Sequence, residues 1–368
     1  MMTKVRRHRR FALPILALMV ALLVAACGQP DSSGSGKAPW PGPFTATRPT
    51  PTPVAPVSFP RDEAPHDALT EWWYYTGHLR AADGAEYGFE SVVFQSRRAD
   101  FPPYYAGHVA ITDKSRRQFR HGERTGAAIV GTGPGFDLRL EDWLWRGFEG
   151  NDQLEGRLPE YAFRLELTAT KPPALHAGGY IDFGQVGGSY YYSRTRMAVR
   201  GTIEDHGVVK EVTGQAWFDH QWGDFLGTGN GGWDWFSVQL ADGADLTLSL
   251  LRDAQLQLAG AYGTYVEADG RTVHIEQDEL RVEVLAEWTS PQTGVTYPSG
   301  WRLTLPKQDL VLVCTPVIPD QELDTRGSTG TIYWEGAIRV EGARGGTPVA
   351  GEGYVELTGY DRRVAPPR

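Results

Sequence analysis

Short runs of alternating or aromatic residues recur along this chain from Phe59 onward, and turn sequences separate them. Asp-Gly pairs at Asp83, Asp242 and Asp269 are typical of tight hairpins, because glycine accepts the positive φ angles that such turns require. No segment of helical period exceeds about three turns. The pattern predicts an all-β body, built as an antiparallel sandwich or barrel. The clearest predicted strands are Trp72 to Leu79, Tyr87 to Gln95, Phe163 to Thr168, Trp233 to Leu240, Asp245 to Leu251, Arg281 to Trp288, Leu310 to Cys314 and Tyr354 to Leu357.

Composition limits the size of the body and the kind of partner. The 368 residues are enough for two domains, and a hydrophobic content of 41% can fill their cores. The 45 acidic and 36 basic residues give a formal charge of -9. A surface that binds nucleic acid without sequence preference has to neutralise phosphates, so nucleic acid is not expected as a partner.

The N-terminus has the pattern of an export signal. Five cations precede residue 11, an apolar run of 16 residues follows, and small residues then lead to Cys27. The run is short for a membrane span, which needs about 20 residues. The end of the run resembles the lipobox of bacterial lipoproteins, which implies removal of residues 1–26, acylation of Cys27 and an extracytoplasmic, membrane-anchored protein. A plain signal peptide or an anchor helix with an incidental cysteine is the alternative.

Residues 27–58 are rich in proline, glycine and serine, and they hold too few apolar side chains to offset the entropy of ordering them. This composition predicts a disordered tether. A lipidated Cys27 leaves Cys314 without a disulfide partner, and Cys314 lies in an apolar run that predicts a buried thiol.

An internal similarity suggests that the body is duplicated. When Trp72 is aligned with Trp233, the aromatic residues Tyr74 and Trp235 also coincide, and both copies then turn through an Asp-Gly pair into a second strand. The predicted domains are therefore residues 59–227 and 228–363, followed by a tail at 364–368. The glycine-rich stretch from Gly227 to Gly232 is a plausible hinge.

Aromatic and polar residues concentrate in the stretch from Asp219 to Asp234. Alternate residues of a strand share a face, so His220 and Trp222 should be neighbours on one wall, with Trp217, Asp219 and Gln221 on the other. The alternative is that the aromatic residues pack a core and the polar residues satisfy hydrogen bonds beside it. The histidines show no zinc-like spacing, and no phosphate loop or dinucleotide fingerprint is present, so neither a metal nor a cofactor is expected.

Seven stretches resemble the AttH-like and carotenoid 1,2-hydratase (hydroxyneurosporene synthase) superfamily. They are EWWYYTGHL (71–79), YGFESVVFQ (87–95), YYYSRTRM (190–197), AWFDHQWGDF (216–225), GWDWFSVQLADG (232–243), YWEGAIRVEG (333–342) and GYVELTGY (353–360). The resemblance implies two lipocalin-like antiparallel β-barrels. It also implies cofactor-free chemistry, because relatives include carotenoid hydratases, fungal cyclases and proteins labelled secreted hydrolases.

The hydratases add water to an isolated alkene, which needs an acid, aromatic faces that stabilise a cation, and one water molecule. A His-x-Trp pair and a Tyr-x-Asp pair are implicated in them. His220 and Trp222 match the first pair, whereas Thr247 and Ser249 stand where Tyr and Asp would be expected. Carotenoid hydration is therefore not expected unless another acid replaces the missing aspartate.

We expect an apolar or amphipathic small molecule to bind near the domain junction, in an aromatic pocket with a few polar groups. Two functions stay open, a cofactor-free hydratase, isomerase, cyclase or hydrolase, and a non-catalytic carrier of the cell envelope. The catalytic candidates are His220, Asp219, Asp234 and Glu90. The ligand-binding candidates are Trp72, Tyr74, His78, Phe94, Tyr191, Trp217, Trp222, Trp233 and Trp235.

Overall fold

The computed structural model describes residues 54–98, 101–183, 187–224 and 231–362, and these residues are almost entirely antiparallel β-structure. The described residues also include short 3-10 helices at Arg61–Glu63, Gln277–Glu279 and Pro306–Gln308. The first half contains β1 (Thr70–Ala81), β2 (Glu86–Arg98), β3 (Phe101–Asp113), β4 (Gln118–Gly126), β5 (Ile129–Val130), β6 (Phe136–Leu140), β7 (Trp143–Phe148), β8 (Asn151–Arg157), β9 (Tyr161–Ala169), β10 (Ala174–Asp182), β11 (Gly188–Asp205) and β12 (Val208–Gly223). The second half contains β13 (Gly232–Leu240), β14 (Asp245–Arg252), β15 (Leu258–Val266), β16 (Thr272–Glu276), β17 (Arg281–Val284), β18 (Glu287–Thr289), β19 (Thr296–Pro298), β20 (Trp301–Leu305), β21 (Leu310–Pro316), β22 (Glu322–Thr325), β23 (Thr331–Arg344) and β24 (Thr347–Leu357).

Two large sheets share one strand order. The first sheet runs β4-β3-β2-β1-β12-β11-β9-β8-β7-β6-β5, with β10 paired to β11. The second runs β16-β15-β14-β13-β24-β23-β21-β20-β17, with β22 paired to β23, and β18 and β19 form a separate hairpin. In each large sheet the first strand lies between the second strand and the last. The predicted all-β antiparallel fold is confirmed, with a large sheet in each half where two lipocalin-like barrels are predicted, and the common order agrees with the internal similarity between Trp72 and Trp233.

Each sheet encloses an apolar core on one face. Trp73, Tyr75 and Phe218 belong to the core of the first sheet, whereas Phe236 and Val238 belong to that of the second. Successive side chains of a strand alternate in direction, so the residues between these core residues point to the opposite face of each sheet. Those side chains meet between the two sheets. This junction is a separate apolar cluster that consists of Tyr74, Val92, Trp217, Trp235, Ala337 and Tyr354.

The sheets approach closely at Gly88. A Cβ atom at this position would overlap the hydroxyl of Tyr354 and crowd Ala337, which belong to the other sheet. Glycine is therefore required by packing here, and the contact fixes the spacing of the two sheets beside the junction.

Several predicted segments lie wholly or partly outside the described residues. These are the signal peptide at 1–26, the lipidation site Cys27, most of the tether at 27–58, part of the hinge at 227–232 and the whole tail at 364–368. The last five residues of the predicted tether are described, and Val57 packs against the first core because its apolar side chain covers the rim of that core. Cys314 is fully buried, and burial raises the pKa of its thiol to about 12. Across the described residues, none of the helices has the length and apolar character that spanning a bilayer would require.

Candidate functional site

A cavity of about 110 Å³ lies between the two sheets. The half-buried rings of Phe94, Phe183 and Trp233 line it, so it reaches the surface at these side chains. Its volume is below that of a pocket for a drug-sized ligand, and it can hold water together with the reacting end of a larger apolar molecule. The lining consists of Trp72, Tyr74, Phe94, Phe183, Tyr191, Asp219, Gln221, Trp233, Trp235, Ser249, Leu251, Tyr262 and Glu356.

Asp219 is one of two carboxyl groups that the described part of the chain places in this cavity. It lies on β12 and is only 3% exposed. Its Oδ2 accepts a hydrogen bond of 2.5 Å from the Tyr191 hydroxyl, and its Oδ1 accepts one of 2.6 Å from Trp217 Nε1 and another from the Ser193 hydroxyl. Burial raises the pKa of Asp219 to about 7, although the three hydrogen bonds act in the opposite direction. The carboxyl can therefore hold or release a proton near neutral pH.

Glu356 is the second carboxyl group, and it is not among the site residues predicted from the sequence. It lies on β24, where its Oε2 accepts a hydrogen bond of 2.7 Å from Trp233 Nε1. Burial raises the pKa of Glu356 to about 7, the hydrogen bond from Trp233 lowers it, and the negative charge of Asp219 raises it further. The sequence does carry a signal for Glu356, because this carboxylate shares a strand face with Tyr354 among apolar residues. The same kind of pattern led to the prediction of Glu90.

The remaining polar groups of the cavity are held in place by one another. The Tyr191 hydroxyl, which donates to Asp219, also accepts a hydrogen bond of 3.2 Å from Trp235 Nε1. Ser249 is hydrogen-bonded to Tyr262. The cavity thus combines aromatic walls with two titratable acids whose neighbours fix their orientation.

A family model described as AttH-like matches residues 50–360. The chain belongs to the AttH-like family.

Solved structures agree with this assignment. A protein of Nitrosomonas europaea described as an AttH candidate is 32% identical, with a TM-score of 0.77 over 84% of this chain and 99% of its own. Kievitone hydratase from Nectria haematococca is 17% identical, with a TM-score of 0.69 over 83% of this chain and 93% of its own. CghA is 12% identical, with a TM-score of 0.50 over 79% and 88% of the two chains. The last two likenesses show a common fold. A search of curated proteins found no match.

Six of the nine predicted ligand-binding residues line the cavity of this AttH-like protein, namely Trp72, Tyr74, Phe94, Tyr191, Trp233 and Trp235. The other three lie elsewhere. Trp217 is in the junction cluster, where it donates a hydrogen bond to Asp219 and packs against the ring of Trp235. Trp222 packs in the core of the first sheet, and His78 is buried where its Nε2 lies 3.1 Å from the carbonyl oxygen of Gly353.

His220 lies beside Trp222, as the strand alternation predicts, with ring centroids 4.8 Å apart. Both rings point into the first core, away from the cavity that Asp219 lines, because they have the opposite parity on β12. His220 is fully buried, and its Nε2 donates a hydrogen bond of 2.7 Å to Glu71. The structure therefore places His220 outside the cavity. Burial lowers its pKa, which the bond to Glu71 partly offsets.

His66, Glu71 and His220 form a compact group whose ligand-type atoms lie within 4.8 Å of one another. Such a set could bind a transition metal. However, both histidines contact Oε1 of Glu71 at 2.7 Å, which is a hydrogen-bond length, and Oε2 accepts from the amide of Gln95 at 3.0 Å. Burial alone would raise the pKa of Glu71, but the bonds from the two histidines outweigh it and the pKa is lowered. Hydrogen bonding accounts for the group.

The other two catalytic candidates also lie outside the cavity. Asp234 forms an ion pair with Arg252 and accepts a hydrogen bond of 2.8 Å from the Tyr360 hydroxyl. On β13 its side chain lies on the same face as Phe236, which belongs to the second core, whereas Trp233 and Trp235 lie on the other face. Glu90 is 1% exposed and accepts a hydrogen bond of 2.9 Å from the Tyr333 hydroxyl.

A larger groove, about 740 Å³, crosses strands of the first sheet at another place. Its charged lining alternates Arg80, Arg164 and Arg200 with Glu155, Glu166 and Glu211. All six side chains are half-buried or exposed, so the groove lacks the desolvated acids of the junction cavity.

Proposed function

We propose that this AttH-like protein is a cofactor-free, hydratase-type enzyme that adds water to an isolated alkene of an apolar or amphipathic small molecule. The observation that carries the proposal is the pair of carboxyl groups, Asp219 and Glu356, that line one aromatic cavity with pKa values near 7. An acid and a base that act at neutral pH need pKa values near the working pH.

Glu356 is assigned as the acid and Asp219 as the base. Three hydrogen-bond donors stabilise the anion of Asp219, whereas Glu356 accepts from Trp233 and feels the charge of Asp219. The proton of Glu356 passes to an alkene carbon, and the π electrons form the new C–H bond. The resulting cation is stabilised by the ring faces of Trp72 and Trp235, a water molecule bonds to the cationic carbon, and Asp219 accepts the proton that this water loses.

Two further points support the proposal. Kievitone hydratase, which shares the fold, is by its name a hydratase. Ser249 stands where the hydratases have an aspartate, so the acid of that pattern is missing at this position. Asp219 and Glu356, on two other strands, bring acids to the same cavity, and either could take the place of the missing proton donor.

The test is incubation of the full chain with squalene, geranylacetone and a prenylated isoflavone in oxygen-18 water and, separately, in deuterium oxide. A hydration product carries one solvent oxygen and one solvent deuterium on carbon, which mass spectrometry detects. We expect Glu356→Gln and Asp219→Asn each to lower turnover by about 100-fold or more.

Asp152→Asn is the matched control. Asp152 is a buried acid whose pKa burial also raises to about 7, but it lies away from the cavity and bonds to the Tyr75 hydroxyl at 2.8 Å. Its replacement should leave turnover unchanged. If the wild type retains a probe and never converts it, the protein is a carrier and the proposed reaction is wrong.

We also propose that the protein works outside the cytoplasm, held to a membrane by a lipid on Cys27. The sequence from Met1 to Cys27 supports this location, and an envelope position would give the cavity access to apolar compounds in the bilayer.

A further inference from the structure

A row of buried acids begins at the cavity and leads away from it. Glu356 on β24 is paired across the sheet with Glu335 on β23, so their side chains are direct neighbours. The Tyr74 hydroxyl, whose ring lines the cavity, donates a hydrogen bond of 2.8 Å to Oε1 of Glu335. Glu90 lies close enough for its charge to act on Glu335.

Two carboxyl oxygens in this row have no hydrogen-bond partner among the described residues. They are Oε2 of Glu90 and Oε2 of Glu335, and both are buried. Within the same part of the chain, neither these two residues nor Glu356 forms an ion pair. A buried carboxylate without such partners is costly, so these groups have to hold protons. Burial raises the pKa of Glu90 to about 8 and that of Glu335 well above its usual value.

Hydrogen bonds continue from Glu90 to the surface. The Tyr333 hydroxyl donates to Oε1 of Glu90 at 2.9 Å and lies 2.8 Å from Nδ1 of His108. Nε2 of His108 lies 3.0 Å from the Ser328 hydroxyl, which also contacts the carboxylate of Glu123. Glu123 is half-buried and lines a surface recess of about 310 Å³.

We propose that Glu123, Ser328, His108, Tyr333, Glu90 and Glu335 form a proton path that connects solvent with the cavity acid Glu356. This inference rests on the proposed function, in which Glu356 loses its proton to carbon while Asp219 gains one from water. The path returns a proton to Glu356 without requiring water to cross a cavity that product still occupies.

Each step of the path balances. A proton on Glu123 moves to Ser328, which passes its own proton to Nε2 of His108. His108 passes the proton on Nδ1 to Tyr333, and Tyr333 passes its own to Oε1 of Glu90. Glu90 gives the proton that it already holds to Glu335, and Glu335 gives its own to the Glu356 carboxylate. Glu123 has then lost one proton and Glu356 has gained one, Glu90 and Glu335 are protonated as before, and His108 has changed tautomer. Burial lowers the pKa of His108 to about 3, so the ring stays neutral and relays protons without storing charge.

The geometry differs from that of a structural network. A network that only stabilises the fold would satisfy both oxygens of each acid, as the bonds around Glu71 do. Here one oxygen of Glu90 and one of Glu335 remain without a donor, next to groups that can both give and accept a proton.

The test follows proton exchange without any substrate. The full chain is transferred rapidly from water to deuterium oxide, and infrared spectroscopy records how fast the bands of the protonated buried carboxyl groups shift. Glu356→Gln and Glu335→Gln assign the bands. We expect Tyr333→Phe, and also His108→Gln, to slow this exchange at least about ten-fold while the native circular-dichroism spectrum is retained.

Tyr75→Phe is the matched control, because Tyr75 also donates from a buried hydroxyl to a buried acid but lies outside the path. It should leave the exchange of the path acids at the wild-type rate. Wild-type exchange rates in both Tyr333→Phe and His108→Gln overturn the proton path. If exchange is slowed in Tyr333→Phe and His108→Gln but Glu356→Gln keeps wild-type turnover, the proposed reaction is overturned and the proton path stands. The two failures are therefore distinguishable.

Discussion

Asp219 and Glu356 occupy equivalent positions in the two sheets. Asp219 is paired with Tyr74 on the first strand of its sheet, and Glu356 is paired with Trp235 on the first strand of the other. Tyr74 and Trp235 are the residues that the internal similarity aligns. The two cavity acids are thus contributed by the same position of a repeated architecture, one from each half, and their aromatic partners Tyr74 and Trp235 pack against each other with ring centroids 5.2 Å apart.

The first prediction concerns the pH dependence of turnover. Both acids have pKa values near 7 and interact, so the pair titrates in two macroscopic steps around neutrality. We expect a bell-shaped profile, because protonation of Asp219 removes the base and ionisation of Glu356 removes the acid. The residual activity of Asp219→Asn should lack the acidic limb. A profile that is flat from about pH 5 to pH 9 would contradict the assignment.

The second prediction concerns stability. Folding raises the pKa of Glu356, so the folded state binds the proton more tightly and stability falls as pH rises from the unfolded pKa of 4.5 to the folded value of about 7. Glutamine does not titrate. Glu356→Gln should therefore gain stability relative to the wild type at about pH 8, by up to about 3 kcal/mol, and gain little at about pH 4.5.

Urea unfolding at the two pH values measures this difference. Asp152→Asn should behave in the same way, because burial raises the pKa of Asp152 too. An equal gap between Glu356→Gln and the wild type at both pH values would rule out ionisation as the cause.

The third prediction concerns Trp233. Its Nε1 donates to Glu356 at 2.7 Å and lowers the pKa of that carboxyl. Trp233→Phe removes the donor and keeps an aromatic ring, so the basic limb of the pH profile should move to higher pH. Trp222→Phe is the control, because Trp222 lies on the face of β12 that points into the first core, away from the cavity, and it should leave the basic limb in place. A shift to lower pH in Trp233→Phe would show that the bond does not stabilise the anion.

The fourth prediction concerns His220. His220→Ala leaves Glu71 without its closest buried partner, and we expect the free energy of unfolding at neutral pH to fall by about 3 kcal/mol. The lowered pKa of Glu71 means that this stabilisation is present above the usual carboxyl pKa and is lost as pH falls through the folded value, so the difference should shrink in acid. Turnover per folded molecule should be unchanged. Lost turnover at native stability would instead make His220 catalytic.

The fifth prediction concerns export. Cys27→Ser should release the protein from the membrane fraction or leave it as an unprocessed precursor, which fractionation and intact mass would show. A variant that is processed and membrane-bound like the wild type would disprove lipidation at Cys27.

The sequence was sufficient for the architecture and for one wall of the cavity. Asp-Gly turns and short aromatic strands led to two antiparallel sheets, and the alignment of Trp72 with Trp233 led to their common order. Alternation separated His220 from Asp219 correctly. Alternation could not tell which face meets the other sheet, because β12 is buried on both faces from Ala216 to Gly223 and hydrophobicity does not distinguish the two faces there. The strand pattern marks Glu356 as a carboxylate among apolar residues, but its closeness to Asp219 could not be predicted, because it depends on strand pairings between distant parts of the chain that no local pattern reveals.

The strand order also has a consequence for biosynthesis. In each sheet the first strand pairs with the last strand. The pairs β1–β12 and β13–β24 can therefore form only after the whole intervening segment has been synthesised. Asp219 and Glu356 lie on these closing strands. A chain that ends before β24 therefore lacks Glu356 and leaves the β13 edge of the second sheet unpaired, so we expect it to fold slowly and to expose that edge.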